Sequence, residues 1–534
     1  MSGFRQPEQS REQIVLWAHR LDDAIPLDHP VRHFDYLLRS EAFAETFTEW
    51  QRRYVLVEGK PPYPPRYLAG LYLYGMMNRI RSSRQLEAAC YNRLDVIWLM
   101  DGQHPDHSTI AGFVKAHREP LRALFRDTVR VGIRAKLIAL DHISVDGTKI
   151  EADAGRKSVR SEAKIASWLA HVDDKIAALE AEWTKNESQE ASLFGETTPW
   201  KPPKASSPAQ QVAALKQQQA RLTQALKEIE RRRDQAGAGP PPKAIASTTD
   251  PDSRSMKDKE GRGKPNFNGQ LAVDEQTSMI VGSEVNDAPD DSGQLTPMVE
   301  QTTETCGQAP EAVSADSAYN TGPELAAMEE RGITSYLPES GENSKGKAAS
   351  KETRQAVEAV RQGKTLTEAQ WAVLPRDRTG RLSKTAFVYD ASANTYRCPA
   401  GETLFHIGTT RDTKGWGVRQ RDRYGHCSAC ATCPYASSCS MNMNPAKGRT
   451  ITRDQYEEHR ERQRVRMASD AGRQCYRRRR ETVEPRIGEI KHVYGVRRFL
   501  RRGLDAVRTE WSMVCTAVNL GILLRHWEEV ARVL

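Results

Sequence analysis

Between residues 158 and 233 the chain carries an apolar repeat that neither flank shares, and this repeat limits the fold more than any other feature. Ile165, Leu169, Val172, Ile176, Leu179 and Trp183 alternate steps of four and three; after a Pro- and Ser-rich break, Val212, Leu215, Leu222, Leu226 and Ile229 follow the same rule. Such spacing predicts two helical arms folded into an antiparallel coiled-coil hairpin. The run "DQAGAGPPPKA" cannot continue a helix and predicts a linker. Strand-like stretches stand on both sides, "ISVDGTKIEAD" before the hairpin and "FNGQLAVDEQTSMIVGSEVND" after it. Any sheet must therefore close across the insertion, from pieces far apart in the chain.

Past the linker, two strands joined by a turn are followed by "SGQLTPMVEQTTE" as a helix and "EAVSADSAYNTGPELAAMEERGITSYLP" as strand, helix, strand. That alternation predicts an α/β fold, a mixed sheet flanked by helices, which the strand at 143–147 joins. The first 120 residues read as helical: Leu68, Leu71, Tyr72 and Met76 define one apolar face, Ser82 and Ser83 can cap the next helix, and Asp106 to Thr109 supply caps for another. Two short helices around a tight polar turn admit a helix-turn-helix, with plain helix packing as the alternative; DNA binding is the role expected of this lobe. A second insert is rich in Lys, Arg, Gly and Cys, with too few apolar residues for a core of its own. After it the chain turns helical, with Leu500, Leu504, Val507, Trp511, Val514 and Val518 as an apolar stripe. The expected organisation is a helical N-terminal domain (1–125), a sheet domain in three pieces (126–157, 250–345 and 451–534), the coiled-coil insert with its linker (158–249) and the Cys-rich insert (346–450).

With 79 Lys and Arg against 70 Asp and Glu in 534 residues the net charge is +9, and the excess concentrates in "YRRRRETVEPRIGEIKHVYGVRRFLRRG". Concentrated charge is what phosphate binding uses, so a polyanionic partner is expected. No apolar leader is legible in "MSGFRQPEQSREQ", and "MVCTAVNLGILL" is shorter than the roughly 20 residues a membrane helix needs. A soluble, cytoplasmic protein with no membrane partner is expected. Five of the nine cysteines crowd between Cys398 and Cys439, which in a reducing compartment points to metal more than to disulfides. "YRCPAGETL" and "YGHCSACATCPYASSCS" offer a Cys-x-x-Cys turn and further thiols, the donor set of a structural Zn2+ site. The expected ligands are Cys398, Cys430, Cys433 and Cys439, with Cys427 or His426 as substitutes; unligated loop thiols are the alternative. Cys90, Cys306, Cys475 and Cys515 fall in helical patterns and are expected to be buried small hydrophobes.

Asp146 closes a short strand-like run and is followed by Gly-Thr-Lys; Asp316, in "AVSADSAYN", likewise closes an apolar run before small residues. Two such acids on neighbouring strands repel unless a cation neutralises them. Mg2+ does this, and phosphoryl-transfer sites hold two such ions about 4 Å apart. Glu484 is the best-placed third acid. Tyr476, Arg480, Glu484 and Lys491 share one helical stripe if their helix is continuous, although Pro485 is equally compatible with a kink or a fresh start. Asp141, Asp153, Asp274, Asp287 and Asp291 lie close to the same strands, and spacing alone does not choose among these acids.

The chain resembles the DDE transposases of bacterial insertion sequences, whose catalytic fold is RNase H-like. The segments that carry the resemblance are "GKPPYPPRYLAGLYLYGMMNRIRSSRQLEAAC", "PDHSTIAGF", "ISVDGTKIEADA", "KPNFNGQLAVDEQTSMIVGSEVND", "SADSAYN" and "ETVEPRIGEIKHVYGVRRFLRRGLDAVRTEWSMVCTAVNL". The resemblance implies that Asp146, Asp316 and Glu484 are the catalytic triad holding Mg2+ (or Mn2+), and that the family's basic positions around its glutamate fall at Tyr476, Arg480 and Lys491. Arg497 and Arg498 are expected to add phosphate contacts. The implied activity is the cutting and joining of element ends in double-stranded DNA by two-metal-ion phosphoryl transfer, in a homodimer or larger synaptic complex at the nucleoid. Ile487 stands where such proteins commonly have Phe, and the coiled-coil arm is not part of the minimal fold. Two alternatives share these residues: a catalytically inactive transposase-derived DNA-binding protein, and a metal-dependent nuclease of the same fold.

Overall fold

The computed structural model describes residues 20–54, 61–194, 208–235, 243–257, 261–339, 350–377, 379–414, 417–425, 427–439 and 448–534. They divide into two compact units, one formed by the residues up to Val131 with Thr516–Leu534, the other by Gly132–Cys515.

The first unit is helical: α1 (Pro30–Arg39), α2 (Glu41–Arg52), α3 (Pro65–Met77), α4 (Ser83–Asn92), α5 (Leu94–Leu99), α6 (His107–Ala116) and the start of α7 (Arg118–Arg134), with a closing helix at Trp527–Ala531. Side chains cap these helices where the sequence places Ser and Asp. The Ser82 hydroxyl accepts the Gln85 amide (3.3 Å), and the Asp106 carboxylate accepts the amides of Ser108 (2.8 Å) and Thr109 (2.9 Å). Helix α3 departs from the single apolar face expected of it, being buried continuously from Leu68 to Met76. The reason is that α1, α2, α4 and α5 all pack on it, and Gly75 permits the closest approach: a Cβ there would stand 2.4 Å from the Leu86 side chain.

The second unit opens with β1 (Ile143–Glu151) and a short pair, β2 (Val159–Ser161) and β3 (Ile245–Ser247), that closes the base of the hairpin α8 (Glu162–Phe194) and α9 (Pro208–Gln235). The arms run in opposite directions, because Glu162 meets Arg233 (2.6 Å), Asp173 meets Gln219 (2.7 Å) and Glu180 meets Lys216 (2.8 Å). Ile165, Val172, Ile176, Leu222, Ala225 and Ile229 are buried between them. Then come β4 (Arg254–Lys257), β5 (Gly263–Asp274), β6 (Ile280–Asn286), α10 (Leu295–Cys306), β7 (Ala312–Ser314), α11 (Gly322–Glu330) and β8 (Thr334–Tyr336). The main sheet has the order β4-β5-β1-β7-β8, with β6 also paired to β5. Strand β1 is antiparallel to β5 and parallel to β7, which is parallel to β8. The sheet thus does close across the hairpin.

The second insert builds a sheet of its own. After α12 (Lys351–Arg361) and α13 (Glu368–Ala372) follow β9 (Val388–Asp390), β10 (Thr395–Arg397), β11 (Thr403–Lys414), β12 (Gly417–Gly425), the short helices α14 (Cys427–Ala431) and α15 (Ala436–Cys439), and β13 (Thr450–Asp454), in the order β13-β12-β11-β10-β9. This corrects the expectation of an insert without a core, since Val360, Trp371, Leu374, Phe387, Tyr396, Leu404, Tyr424 and Ile451 are buried together. A few aromatic rings supply what aliphatic residues do not: Tyr396 lies 5.0 Å from both Tyr389 and Tyr424, ring centre to ring centre.

Helices α16 (Glu457–Ala468), α17 (Asp470–Arg477), α18 (Val483–His492) and α19 (Leu504–Arg525) complete the chain order. The helix expected to carry Tyr476, Arg480, Glu484 and Lys491 is not continuous. A 3-10 turn at Arg478–Arg480 follows α17, and Thr482 (φ −110, ψ −84) breaks the chain before α18 begins. The tighter turn rotates the arginines, so the four residues share no stripe. Leu500 precedes α19 and is 47% exposed, outside the apolar stripe expected to include it. Cys90 and Cys515 are buried as expected, whereas Cys306 and Cys475 are only partly so. Among the described residues no helix is long and apolar enough to cross a membrane.

Candidate active site

The parallel pairing of β1 with β7 sets Ile143 against Val313 and Ser144 against Ser314. Strand β7 ends at Ser314, and Asp316, two residues beyond it, lies within electrostatic reach of Asp146. Each acid is held locally by an amide: Gly147 N–H donates to Asp146 Oδ1 (2.9 Å), and Ala318 N–H donates to Asp316 Oδ1 (2.7 Å). A third carboxylate, Asp291, stands beside them. Its Oδ1 accepts the side-chain amides of Asn268 (2.7 Å) and Gln270 (2.6 Å), which share one face of β5 because strand side chains alternate. Tyr319, fully buried, donates its hydroxyl to Gln270 Oε1 at 2.5 Å. Gly147 makes room for this arrangement, since a Cβ there would lie 2.2 Å from Asp291 Oδ1.

These acids share too little positive charge. Burial lifts the Asp146 carboxyl to about 6; Arg479 and the Gly147 amide oppose the rise, while Asp316 and Asp291 add to it. Burial and the same three carboxylates push the Tyr319 hydroxyl well above its usual range. The cation that meets the cluster is Arg479, 5% exposed, with Nη2 3.1 Å from Asp146 Oδ2. Its Nη1 donates to the Tyr476 hydroxyl at 3.4 Å, and among the described residues its buried Nε has no hydrogen-bond partner.

The sequence-based candidates are placed unevenly. Asp146 and Asp316 come together. Glu484 sits in the first turn of α18, exposed, with no hydrogen bond or ion pair to either acid among the described residues. Among the described residues no three His, Cys, Asp or Glu side chains converge closely enough to hold a metal ion. Arg480 is exposed, and its neighbour Arg479 is the one turned inward. Arg498 pairs with Asp153 (2.5 Å) and Arg497 with His492 Nδ1 (2.8 Å). Arg498 bridges Glu151 at the far end of β1, about 16 Å along the strand from Asp146 at the usual rise. Sequence reasoning missed Arg479, because a run of four arginines does not say which one faces inward. Asp291 was legible only as one acid among several.

Two family models match the chain: a Transposase DDE domain over residues 397–524 and a Transposase domain (DUF772) over residues 19–116. These two matches, each over less than half of the chain, support an insertion-sequence DDE transposase. No curated protein and no solved structure matches it. The DDE match begins inside the second insert, at residue 397, and runs on through α18, so Cys398, Cys427, Cys430, Cys433 and Cys439 lie within it.

In that insert, Cys398, Cys430, Cys433 and Cys439 lie within electrostatic reach of one another. Burial, with the neighbouring thiols adding to it and Arg449 opposing, raises Cys439 to about 11; burial also raises Cys398. Backbone turns present them: Cys433 N–H donates to Cys430 O (3.4 Å), and Gly401 N–H to Cys398 O (3.0 Å). The side chain of Cys427, and His426 as a whole, lie outside the described residues.

Proposed function

We propose that this transposase cuts and joins the ends of its element in double-stranded DNA, using Asp146, Asp316 and Glu484 with Mg2+ or Mn2+. The observation that carries the reading is the approach of Asp146, on β1, to Asp316, two residues past the end of the adjacent parallel β7, where burial and like charge suppress ionisation of Asp146. Hard carboxylate oxygens short of positive charge are the donor chemistry a divalent cation takes, so the residues fit the metal in kind. When bound, the ions supply Lewis-acid activation of the attacking oxygen and charge neutralisation at the leaving oxygen.

The chain's own residues do the rest. Arg479 keeps Asp146 paired while the acids have no other cation, and the two amides on Asp291 fix that carboxylate beside Gly147. Glu484 is carried by α18, which lies against β1 and β5, and completes the set from the helix side. Exposed Arg480, with Tyr476 and Lys491, receives the DNA backbone; Arg497 and Arg498 exchange His492 and Asp153 for phosphate further along. The central β1, antiparallel to β5 and parallel to β7, supports an RNase H-like reading of the main sheet. The N-terminal helices are proposed to bind DNA, the coiled-coil arms to contribute to a homodimer or synaptic complex at the nucleoid, and the four thiols to bind one structural Zn2+. The electrostatic reach of Cys439 to the other three thiols is what supports the zinc, although the described side chains by themselves form no metal-holding group.

The test is incubation of the purified protein with Mg2+ and DNA carrying the element's own ends, beside a Glu484→Gln variant. Nicked 3′ ends and joined products with the wild type, and neither with the variant, support the reading. Cutting without joining makes the protein a nuclease, and binding without strand breakage in either overturns the catalytic assignment.

A further inference from the structure

The three candidate acids share a feature that no hydrogen bond of their own explains: each stands two residues after a buried hydroxyl. Ser144 precedes Asp146, Ser314 precedes Asp316, and Thr482 precedes Glu484. The hydroxyls meet one another. Ser144 Oγ lies 3.1 Å from Ser314 Oγ, and Thr482 Oγ1 lies 2.9 Å from Ser144 Oγ. Ser144 and Ser314 are fully buried, and Thr482 is 4% exposed. Asp146 shares a face of β1 with Ser144, and Asp316 follows Ser314 just past the end of β7, so joining Ser144 to Ser314 ties together the segments from which the two acids emerge. Thr482 brings the helix to the same point.

The use made of Thr482 is unusual for its place. It is the N-cap of α18, where a threonine hydroxyl ordinarily accepts an amide of its own first turn; here it makes no cap hydrogen bond. Its oxygen lies instead against Ser144 and 3.0 Å from the carbonyl of Arg478. The helix gives up its own cap to attach its start to β1. The Arg478 contact extends the same chain of hydroxyls to the turn that carries Arg479, the cation on Asp146.

We infer that Thr482, Ser144 and Ser314 are positioning residues, a hydroxyl pin that holds the three acid-bearing segments in register so that a divalent cation can gather Asp146, Asp316 and Glu484. This rests on the triad proposed above. Gathering the acids requires at least the release of Asp146 by Arg479. Removing the pin leaves every ligand present and loosens only their mutual register, as loss of an outer hydrogen bond does in metal sites, where affinity falls by about tenfold or more.

The test measures Mn2+ binding to the full chain by the loss of the free-ion EPR signal, without DNA, and thermal unfolding of each variant alongside. Wild type, Asp146→Asn, Thr482→Val, Thr482→Ser and Ser314→Ala are compared. The expected result is an Asp146-dependent Mn2+ site whose dissociation constant rises about tenfold in Thr482→Val and Ser314→Ala and recovers in Thr482→Ser, which keeps the oxygen. A purely structural hydroxyl would lower the unfolding temperature and leave the Mn2+ constant of the folded protein where it was. If the wild type shows the Asp146-dependent site and both Thr482→Val and Ser314→Ala bind as the wild type does, the pin is wrong and the triad stands. Should the wild type bind no Mn2+ through Asp146, the site assignment fails and takes the pin with it. If Thr482→Val does not fold, Ser314→Ala decides the question from the other end.

Discussion

Two of the buried acid sets in the second unit are opposites. Asp454 and Glu457, beside the second sheet, are surrounded by cations: Arg419 (2.7 Å) and Arg460 (2.7 Å) on Asp454; Lys384 (2.7 Å), Arg460 (2.8 Å) and Arg464 (2.8 Å) on Glu457. Burial alone would lift both, but Lys384 and Arg464 outweigh it and hold Glu457 down to about 2, while Arg460 and Arg419 hold Asp454 well below the carboxylate range. Around Asp146 the cation found among the described residues is Arg479, while Asp316 and Asp291 add like charge, so burial prevails and the acid rises to about 6. A cluster with its charges balanced is finished as structure. One left short of positive charge can take a cation, but the shift alone does not mark the site, since burial lifts Asp127 and Asp250 to about 6 as well.

The contrast can be broken most directly at Glu457. Glu457→Ala leaves three cations converging on an empty position and is expected to cost about 3–5 kcal/mol, read from denaturant unfolding. The same group sets an acid limb. Its pKa is depressed, so its stabilisation is complete above pH 4.5 and lost as the pH falls toward 2; Glu457→Gln should flatten the unfolding profile in that window. Asp146→Asn should do the reverse, changing the unfolding temperature little because Arg479 keeps Asp316 as counter-charge, while DNA cleavage falls by about 10²–10³-fold.

Metal should distinguish the two sets by pH. Asp146 is raised, so below about pH 6 a proton holds the place a cation would take. Mg2+ at a hundredfold excess over its dissociation constant should stabilise the protein by about 2.7 kcal/mol at pH 7.5 and by much less at pH 5, measured as the shift in thermal midpoint against EDTA. No such shift at either pH would leave Asp146 as an incidental buried acid. The smallest effect is expected at Gly147. Gly147→Ala pushes a methyl group into Asp291 and Gln270 and should cost about 1–3 kcal/mol, together with part of the cleavage activity.

Much of the architecture was legible because it rests on local periodicity. The heptad steps of 165–176 and 222–229 anticipate the buried line between α8 and α9, and the turn chemistry at Ser82 and Asp106 anticipates the helix starts. Two expectations failed where a local count could not see the packing. The second insert has few aliphatic residues, yet three tyrosines and a tryptophan close a core, and α3 is enclosed on all sides where one apolar face was expected. The broken helix before Glu484 was half legible: Pro485 signalled a break, but the turn comes earlier, at Arg478–Arg480, where nothing in a run of arginines marks it.

By itself the sequence determined the segments: which stretches are strand or helix, that an insertion separates β1 from the rest of its sheet, and which acids end short apolar runs. These depend on residues within a few positions of one another. Only the tertiary structure decided which distant groups meet. Ser144 and Ser314 are 170 residues apart and Ser144 and Thr482 are 338 apart, yet their hydroxyls touch; Arg479 reaches Asp146 while Arg480 faces out. Such contacts follow from strand order, register and the rotation of a single turn, quantities set by the packing of the whole unit and absent from any local pattern.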